Sequence, residues 1–242
     1  MELKKTVIIV AGGKGLRMGE DLPKQFIPLK GKPILMHTLD AFYRCDQAID
    51  IVLVIPEDHS SYWEMLCREL NFTVPHRLVH GGETRFHSAR NGLLSIPVSP
   101  QSPNHTDLIA VHDGVRPFVS STVISTCYEL AETYGAAIPV APMIETVRVL
   151  DGAENHSFDR AQLCIVQTPQ IFRADILRKA YEQPYESRFT DDASLVDASG
   201  HPIHLFEGNP ENIKITTQRD LHYAKTLIKI CSPIVPSSTC RE

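Results

Sequence analysis

A glycine-rich turn, Ala11-Gly12-Gly13-Lys14-Gly15, follows the apolar run Thr6-Val7-Ile8-Ile9-Val10, and two fixed cations, Arg17 and Lys24, come soon after it. Glycines at the end of a buried strand let backbone N–H groups approach an anion closely. Two known phosphate-binding patterns do not fit. The P-loop needs Gly-Lys five positions after its first glycine, where this chain follows Gly12 with Arg17. The dinucleotide pattern Gly-x-Gly-x-x-Gly matches Gly13 and Gly15 but meets Met18 in place of its third glycine, and Gly19 lies one place late. What remains is Gly-x-Gly-x-Arg-Met followed by Pro23-Lys24-Gln25-Phe26. Cations beside glycine amides suit a triphosphate, whose charge is spread over three groups and grows more concentrated during transfer. The competing explanation is a structural turn flanked by two solvated cations.

Further candidates lie downstream. Gly81-Gly82 and the segment from Arg85 to Ser88 fall where a strand should turn into a helix. Asp113 and Arg116 follow another apolar run, and a carboxylate at a strand's carboxyl end is well placed for a metal ion or a substrate hydroxyl. The same two residues could equally brace their loop as an ion pair. Ser88 could be an ordinary helix serine. Lys214, between Ile213 and Ile215, points away from both, which suits either a phosphate ligand or a solvated strand-edge lysine. His76 and His80 are four apart but flank the strand-like Arg77-Leu78-Val79, so helical spacing does not apply and no zinc site is expected.

These side chains need a scaffold. At 242 residues, with 43% hydrophobic and 22% charged content, the chain can bury a substantial core as one α/β domain. A formal charge of -5 argues against a broad nucleic-acid-binding surface while leaving room for a local basic pocket. Strand-like runs at 6–10, 51–55, 77–79, 108–111 and 136–140 alternate with helix-like stretches at 33–43, 62–70, 85–94 and 123–134. That rhythm predicts a Rossmann-like, mainly parallel sheet with helices on both faces. It breaks at Pro142. Strand-like pieces at 146–150 and 163–166 surround a polar stretch, 151–159, which predicts a β-arm projecting from about 142–169. Helices are expected again at 174–181 and 193–198, strands at 203–206 and 213–215, and a last helix at 219–230. Residues 1–231 then form one domain, and 232–242, rich in Ser and Pro, a disordered tail. Glu2, Lys4 and Lys5 lead straight into the first strand, no apolar stretch approaches the roughly 20 residues of a membrane span, and six scattered cysteines form no CxxC pair. Reduced thiols, a cytoplasmic setting and no membrane partner are the expectation.

The quoted blocks, taken in order, carry a resemblance. Ala11 to Met18 with Pro23-Lys24-Gln25, Gly81 to Ser88, His112-Asp113-Gly114-Val115-Arg116-Pro117, Gln167-Thr168-Pro169-Gln170, Phe189 to Ser194 and Asn212 to Thr216 together resemble the signature of sugar-phosphate nucleotidyltransferases. In detail the chain is similar to the 2-C-methyl-D-erythritol 4-phosphate cytidylyltransferases, with the ribitol-5-phosphate cytidylyltransferases as close relatives. The resemblance spans roughly residues 6–229. It implies in-line attack by an acceptor phosphate oxygen on the α-phosphorus of CTP, with loss of pyrophosphate.

Residue roles follow from the same resemblance. Arg17, Lys24 and Lys214 are the implied catalytic cations. Ala11, Gly12, Gly13, Gly15, Gly82, Ser88 and Asp113 are implied to bind the nucleotide. Mg²⁺, or another divalent cation, is implied to sit mainly on the CTP phosphates, with Asp113 a candidate ligand. Arg116, Thr146, Arg160, Thr168 and Thr190 are implied to bind the acceptor, and the arm to reach a neighbouring active site in a homodimer. The chain departs from the family in two places: Glu83-Thr84 stands where relatives often carry an acidic pair, and Gly114 where many carry alanine. Ribitol 5-phosphate as acceptor and a nucleotide-binding module without catalysis are the competing functions. Arg17, Lys24 and Lys214 are all intact, which disfavours the second.

Overall fold

The computed structural model describes residues 3–12, 22–97 and 107–230. The first apolar run forms strand β1 (Lys5–Val10), followed among the described residues by a short hairpin, β2 (Pro28–Leu29) and β3 (Lys32–Pro33). Helix α1 (Ile34–Cys45) starts directly after Pro33, whose fixed φ suits helix entry. The chain then alternates: β4 (Asp50–Ile55), α2 (Ser60–Glu69), β5 (Arg77–His80), α3 (Arg85–Leu94), β6 (Leu108–Asp113), α4 (Ser121–Tyr134) and β7 (Ala136–Pro142). After β7 come β8 (Val147–Asp151), β9 (Glu154–Phe158), β10 (Cys164–Val166), β11 (Gln170–Arg173), α5 (Ala174–Ala180), α6 (Asp192–Ala198), β12 (His204–Glu207) and α7 (Gln218–Ile230).

The main sheet runs β10-β7-β11-β6-β1-β4-β5, with β12 beside β7. Strands β5, β4, β1 and β6 are mutually parallel, and β12 is parallel to β7, while β10 and β11 run antiparallel to their neighbours. The period of two along each strand decides the layers. Val7, Ile9, Ile51, Leu53 and Ile55 face a core shared with Leu39, Phe42, Trp63 and Tyr128 of α1, α2 and α4. Ile8, Val10, Val52 and Val54 face the other, with Phe86, Leu93, Leu177 and Leu195 of α3, α5 and α6. The result is the Rossmann-like α/β architecture that the alternation predicts.

Helix ends are specified locally. Ser120 accepts from the Val123 amide at the start of α4, and Gly135 ends that helix at φ +85, a conformation that favours glycine. Asp191 and Ser194 form a reciprocal capping box at the start of α6.

Two details differ from the sequence reading. The arm is the hairpin β8–β9, so its second strand falls inside the polar stretch 151–159, and the piece expected at 163–166 instead joins the main sheet as β10. The expected strand at 213–215 is irregular chain that does not pair as a ladder. It is held by the Ile215 amide donating to Val115 O at 3.0 Å, and by buried Ile215 packed under α7.

Candidate active site

Strand β1 lies between β4 and β6, so successive connections leave it on opposite sides, the arrangement that opens a crevice at the strands' carboxyl ends. The turns there extend the ladder. Ala11 N donates to Val54 O at 2.9 Å, Gly81 N to Ile55 O at 2.8 Å and Gly114 N to Val10 O at 2.9 Å. Between them is a cleft of about 230 Å³ whose walls include Ala11, Gly12, Lys24, Gly82, Ser88, Asp113 and Lys214.

Each wall residue is positioned by its element. Lys24 sits on a single 3₁₀ turn (Lys24–Phe26) anchored by the buried side chains of Gln25 and Phe26. Gly82 lies so close to α3 that a Cβ there would stand 2.5 Å from the His87 Cβ, so only glycine fits without movement. Its amide donates to Ser88 Oγ at 3.1 Å, which holds the buried serine at the cleft floor. Lys214 is carried by the segment between Asn212 and α7, and its ammonium lies 3.0 Å from Asp113.

Asp113 is the electrostatic centre. Its carboxylate meets Lys214 at 3.0 Å, Arg116 at 3.2 Å and Arg85 at 3.5 Å. Burial works to raise its pKa, but Arg85, Lys214 and Arg116 together outweigh it and hold the group well below the usual carboxylate range. Arg116 also donates to Asn212 O at 2.7 Å, so it braces the loop as well as facing the carboxylate. Burial likewise opposes the Arg85 charge, and Asp192 with Asp113 more than offsets it, so the guanidinium is held firmly protonated.

Behind Asp113, His112 is fully buried and burial lowers its pKa to about 4, leaving the imidazole neutral near pH 7. Its Nε2 faces Arg116 O at 3.1 Å and must donate there, so Nδ1 accepts from Thr168 Oγ1 at 3.0 Å. Thr168 Oγ1 in turn accepts from the Asp113 amide at 3.1 Å. With Thr168 only 4% exposed and its proton directed at His112, its hydroxyl supports the Asp113 turn rather than offering a donor to a ligand. That differs from the acceptor-donor role implied by the resemblance.

The structure therefore brings together seven of the anticipated residues, Ala11, Gly12, Lys24, Gly82, Ser88, Asp113 and Lys214, with Arg116 immediately behind them. Gly13, Gly15 and Arg17 lie outside the described residues, as does the tail at 232–242. Thr146 and Arg160 are exposed at the base of the arm, where Arg160 Nη1 donates to Ile144 O at 2.5 Å, and Thr190 is exposed just before α6. None of these three is part of the cleft wall formed by one chain. Glu83, Thr84 and Arg85, named in the sequence analysis without a role of their own, also line the cleft. One signal was available: Arg85 opens α3, where the helix dipole disfavours a cation unless carboxylates compensate it. Among the described residues, no group of three or more His, Cys, Asp or Glu side chains is placed to hold a metal ion, and no helix is long and apolar enough to cross a membrane.

Comparison with known proteins gives the family. The family model described as IspD, 2-C-methyl-D-erythritol 4-phosphate cytidylyltransferase, matches residues 5–230. A 2-C-methyl-D-erythritol 4-phosphate cytidylyltransferase of Bacteroides thetaiotaomicron is 53% identical, with 93% of this chain and 100% of that protein covered. One from Porphyromonas gingivalis is 52% identical over 94% of this chain and 99% of its own length. The crystal structure of 4-diphosphocytidyl-2C-methyl-D-erythritol synthase from Anaerococcus prevotii superposes with a TM-score of 0.78 at 28% identity, covering 94% of this chain and 96% of that one. With the match running through every strand of the main sheet and both flanks of the cleft, the chain belongs to the 2-C-methyl-D-erythritol 4-phosphate cytidylyltransferase family of nucleotidyltransferases.

Proposed function

We propose that the cleft binds CTP and transfers its CMP unit to 2-C-methyl-D-erythritol 4-phosphate, releasing pyrophosphate in a step of isoprenoid precursor synthesis. The observation that carries this reading is the convergence of Lys24 and Lys214, from opposite ends of the chain, beside the Ala11-Gly12 turn and Asp113. Two anions that repel each other must meet in line, and transition-state charge on the α-phosphate exceeds that of the ground state. The lysines supply that compensation. Lys214 stands against Asp113, so nucleotide phosphates compete with the carboxylate for its ammonium. Gly12 and Gly82 let backbone approach the nucleotide, and Ser88 offers a hydroxyl at the base of the cleft. Gly13, Gly15 and Arg17 complete the phosphate cradle in this reading.

A divalent cation such as Mg²⁺ fits as a guest of the nucleotide: Asp113 and Glu83 bring carboxylates to the cleft, and triphosphate oxygens are the hard ligands such an ion prefers. When bound it would neutralise phosphate charge. Arg116, Thr146, Arg160 and Thr190 are proposed to hold the acceptor, with Thr168 acting on it only through Asp113. Thr146 and Arg160 would act from the arm of a second copy in a homodimer. Ile144 at 72%, Leu150 at 80% and Ile165 at 45% exposure are apolar residues that such a partner would cover. Soluble substrates and scattered cysteines favour a cytoplasmic setting. The family match favours methylerythritol phosphate over ribitol 5-phosphate. Purified protein given CTP, Mg²⁺ and each acceptor in turn should release pyrophosphate with methylerythritol phosphate. Release only with ribitol 5-phosphate, or with neither, would overturn the assignment.

A further inference from the structure

Arg85 is the cleft cation that the mechanism above leaves unused. It opens α3, and its guanidinium spans two carboxylates from separate elements: Nη2 lies 2.7 Å from Asp192 Oδ2, and Nε lies 3.5 Å from Asp113 Oδ1. The Asp192 contact is close in distance but off the hydrogen-bond axis. Asp192 is fully buried at the start of α6, and its other oxygen accepts from the Tyr181 hydroxyl at 2.5 Å. The adjoining turn is tied down as well. Gln170 Nε2 donates to Asp191 Oδ2 at 2.7 Å, and the Ala193 amide donates to Gln170 Oε1 at 2.9 Å. Thr190 directly precedes this braced turn.

A guanidinium balanced by two carboxylates adds little net positive charge for a triphosphate. Its planar fork instead fixes the distance between the groups it bridges. We propose that Arg85 and Asp192 are positioning residues that lock Asp113 to the Thr190 end of α6, so that the acceptor polyol phosphate meets a preformed site. The proposal rests on the cytidylyl-transfer reading and adds a residue pair that touches neither substrate's reacting atoms.

Two variants test it. Arg85→Lys keeps the charge, but a single ammonium cannot span both carboxylates. The double variant Arg85→Met/Asp192→Asn removes both partners, so that neither leaves the other buried and uncompensated. CTP affinity is measured by calorimetry with Mg²⁺, and acceptor KM and kcat by pyrophosphate release. In both variants CTP Kd should stay within about threefold of wild type while acceptor KM rises by about tenfold or more. A matching loss of CTP affinity would make Arg85 a nucleotide ligand and overturn the proposal. An unchanged acceptor KM, or a double variant that cannot fold, would assign the pair to the scaffold alone and overturn it too. A wild-type chain that binds CTP yet releases no pyrophosphate with either acceptor overturns the functional reading itself, and this inference with it, before any variant is compared.

Discussion

Lys24 and Lys214 reach one cleft from a 3₁₀ turn near the beginning of the chain and an irregular segment near its end. Neither is part of a core, and the Lys214 side chain is 40% exposed. Replacing either by alanine should therefore lower kcat by about two to three orders of magnitude while moving the melting temperature by no more than about 2 °C. Steady-state assays and thermal melts check both halves, and turnover near wild type would remove that lysine from the mechanism. His112 gives a different kind of expectation. The unfolded chain takes up a proton on this imidazole below its ordinary value of 6.5, whereas the folded chain resists until about 4. Stability is therefore fully present above pH 6.5 and declines as pH falls toward 4, by on the order of 3 kcal/mol. His112→Gln keeps a donor for Arg116 O and cannot take up the proton. Urea melts at pH 7 and pH 4.5 should show a smaller loss in the variant, and equal losses would mean the native site accepts the charge.

At the scale of elements, the tight approach of the Gly81-Gly82 turn to α3 is the most sensitive junction. A methyl at Gly82 must push against His87, so Gly82→Ala should cost about 1–3 kcal/mol and weaken CTP binding by about tenfold. Calorimetry with CTP and a denaturant titration measure the two effects, and tight CTP binding in the variant would show that the turn has room to shift. The same scale shows why some features were legible. Runs such as Val7-Ile8-Ile9 are buried on both faces, and their composition states it. Strand β9 escaped because Glu154, Asn155, His156 and Ser157 are exposed and carry no burial pattern. The segment at 213–215 alternates like a strand, yet its neighbours are α7 and the turn at Val115 rather than a ladder. That Ala11, Gly12 and Lys24 share one cleft was readable because they lie near one another in sequence. The link from Arg85 to Asp192 was not, since 107 positions (192 − 85) separate two residues whose pairing depends on sheet order.

Across the whole molecule, the described cleft wall comes from the core domain, while Thr146 and Arg160 stand at the arm outside it. In the dimer proposed above, every site draws on both copies. Lys214→Ala and Arg160→Ala should each be poorly active alone, and mixing them under conditions of subunit exchange should restore activity. A mixed dimer carries one intact site and one doubly defective site, so random pairing returns about a quarter of wild-type sites. Sedimentation establishes the oligomer, and mixtures no more active than the separate variants would place each site within a single chain. The arm's attachment has a consequence of its own. Cys164 pairs with Pro142 and Val166 with Val140, so the sheet closes directly beneath residues 143–163. Both ends of that excursion leave from one spot, as with a tool fitted to a handle. If the arm holds the acceptor as proposed, exchanging that tool for one from a relative with another polyol preference would leave the grip, including the parallel strands, untouched, and would give this scaffold a ready route to new acceptors.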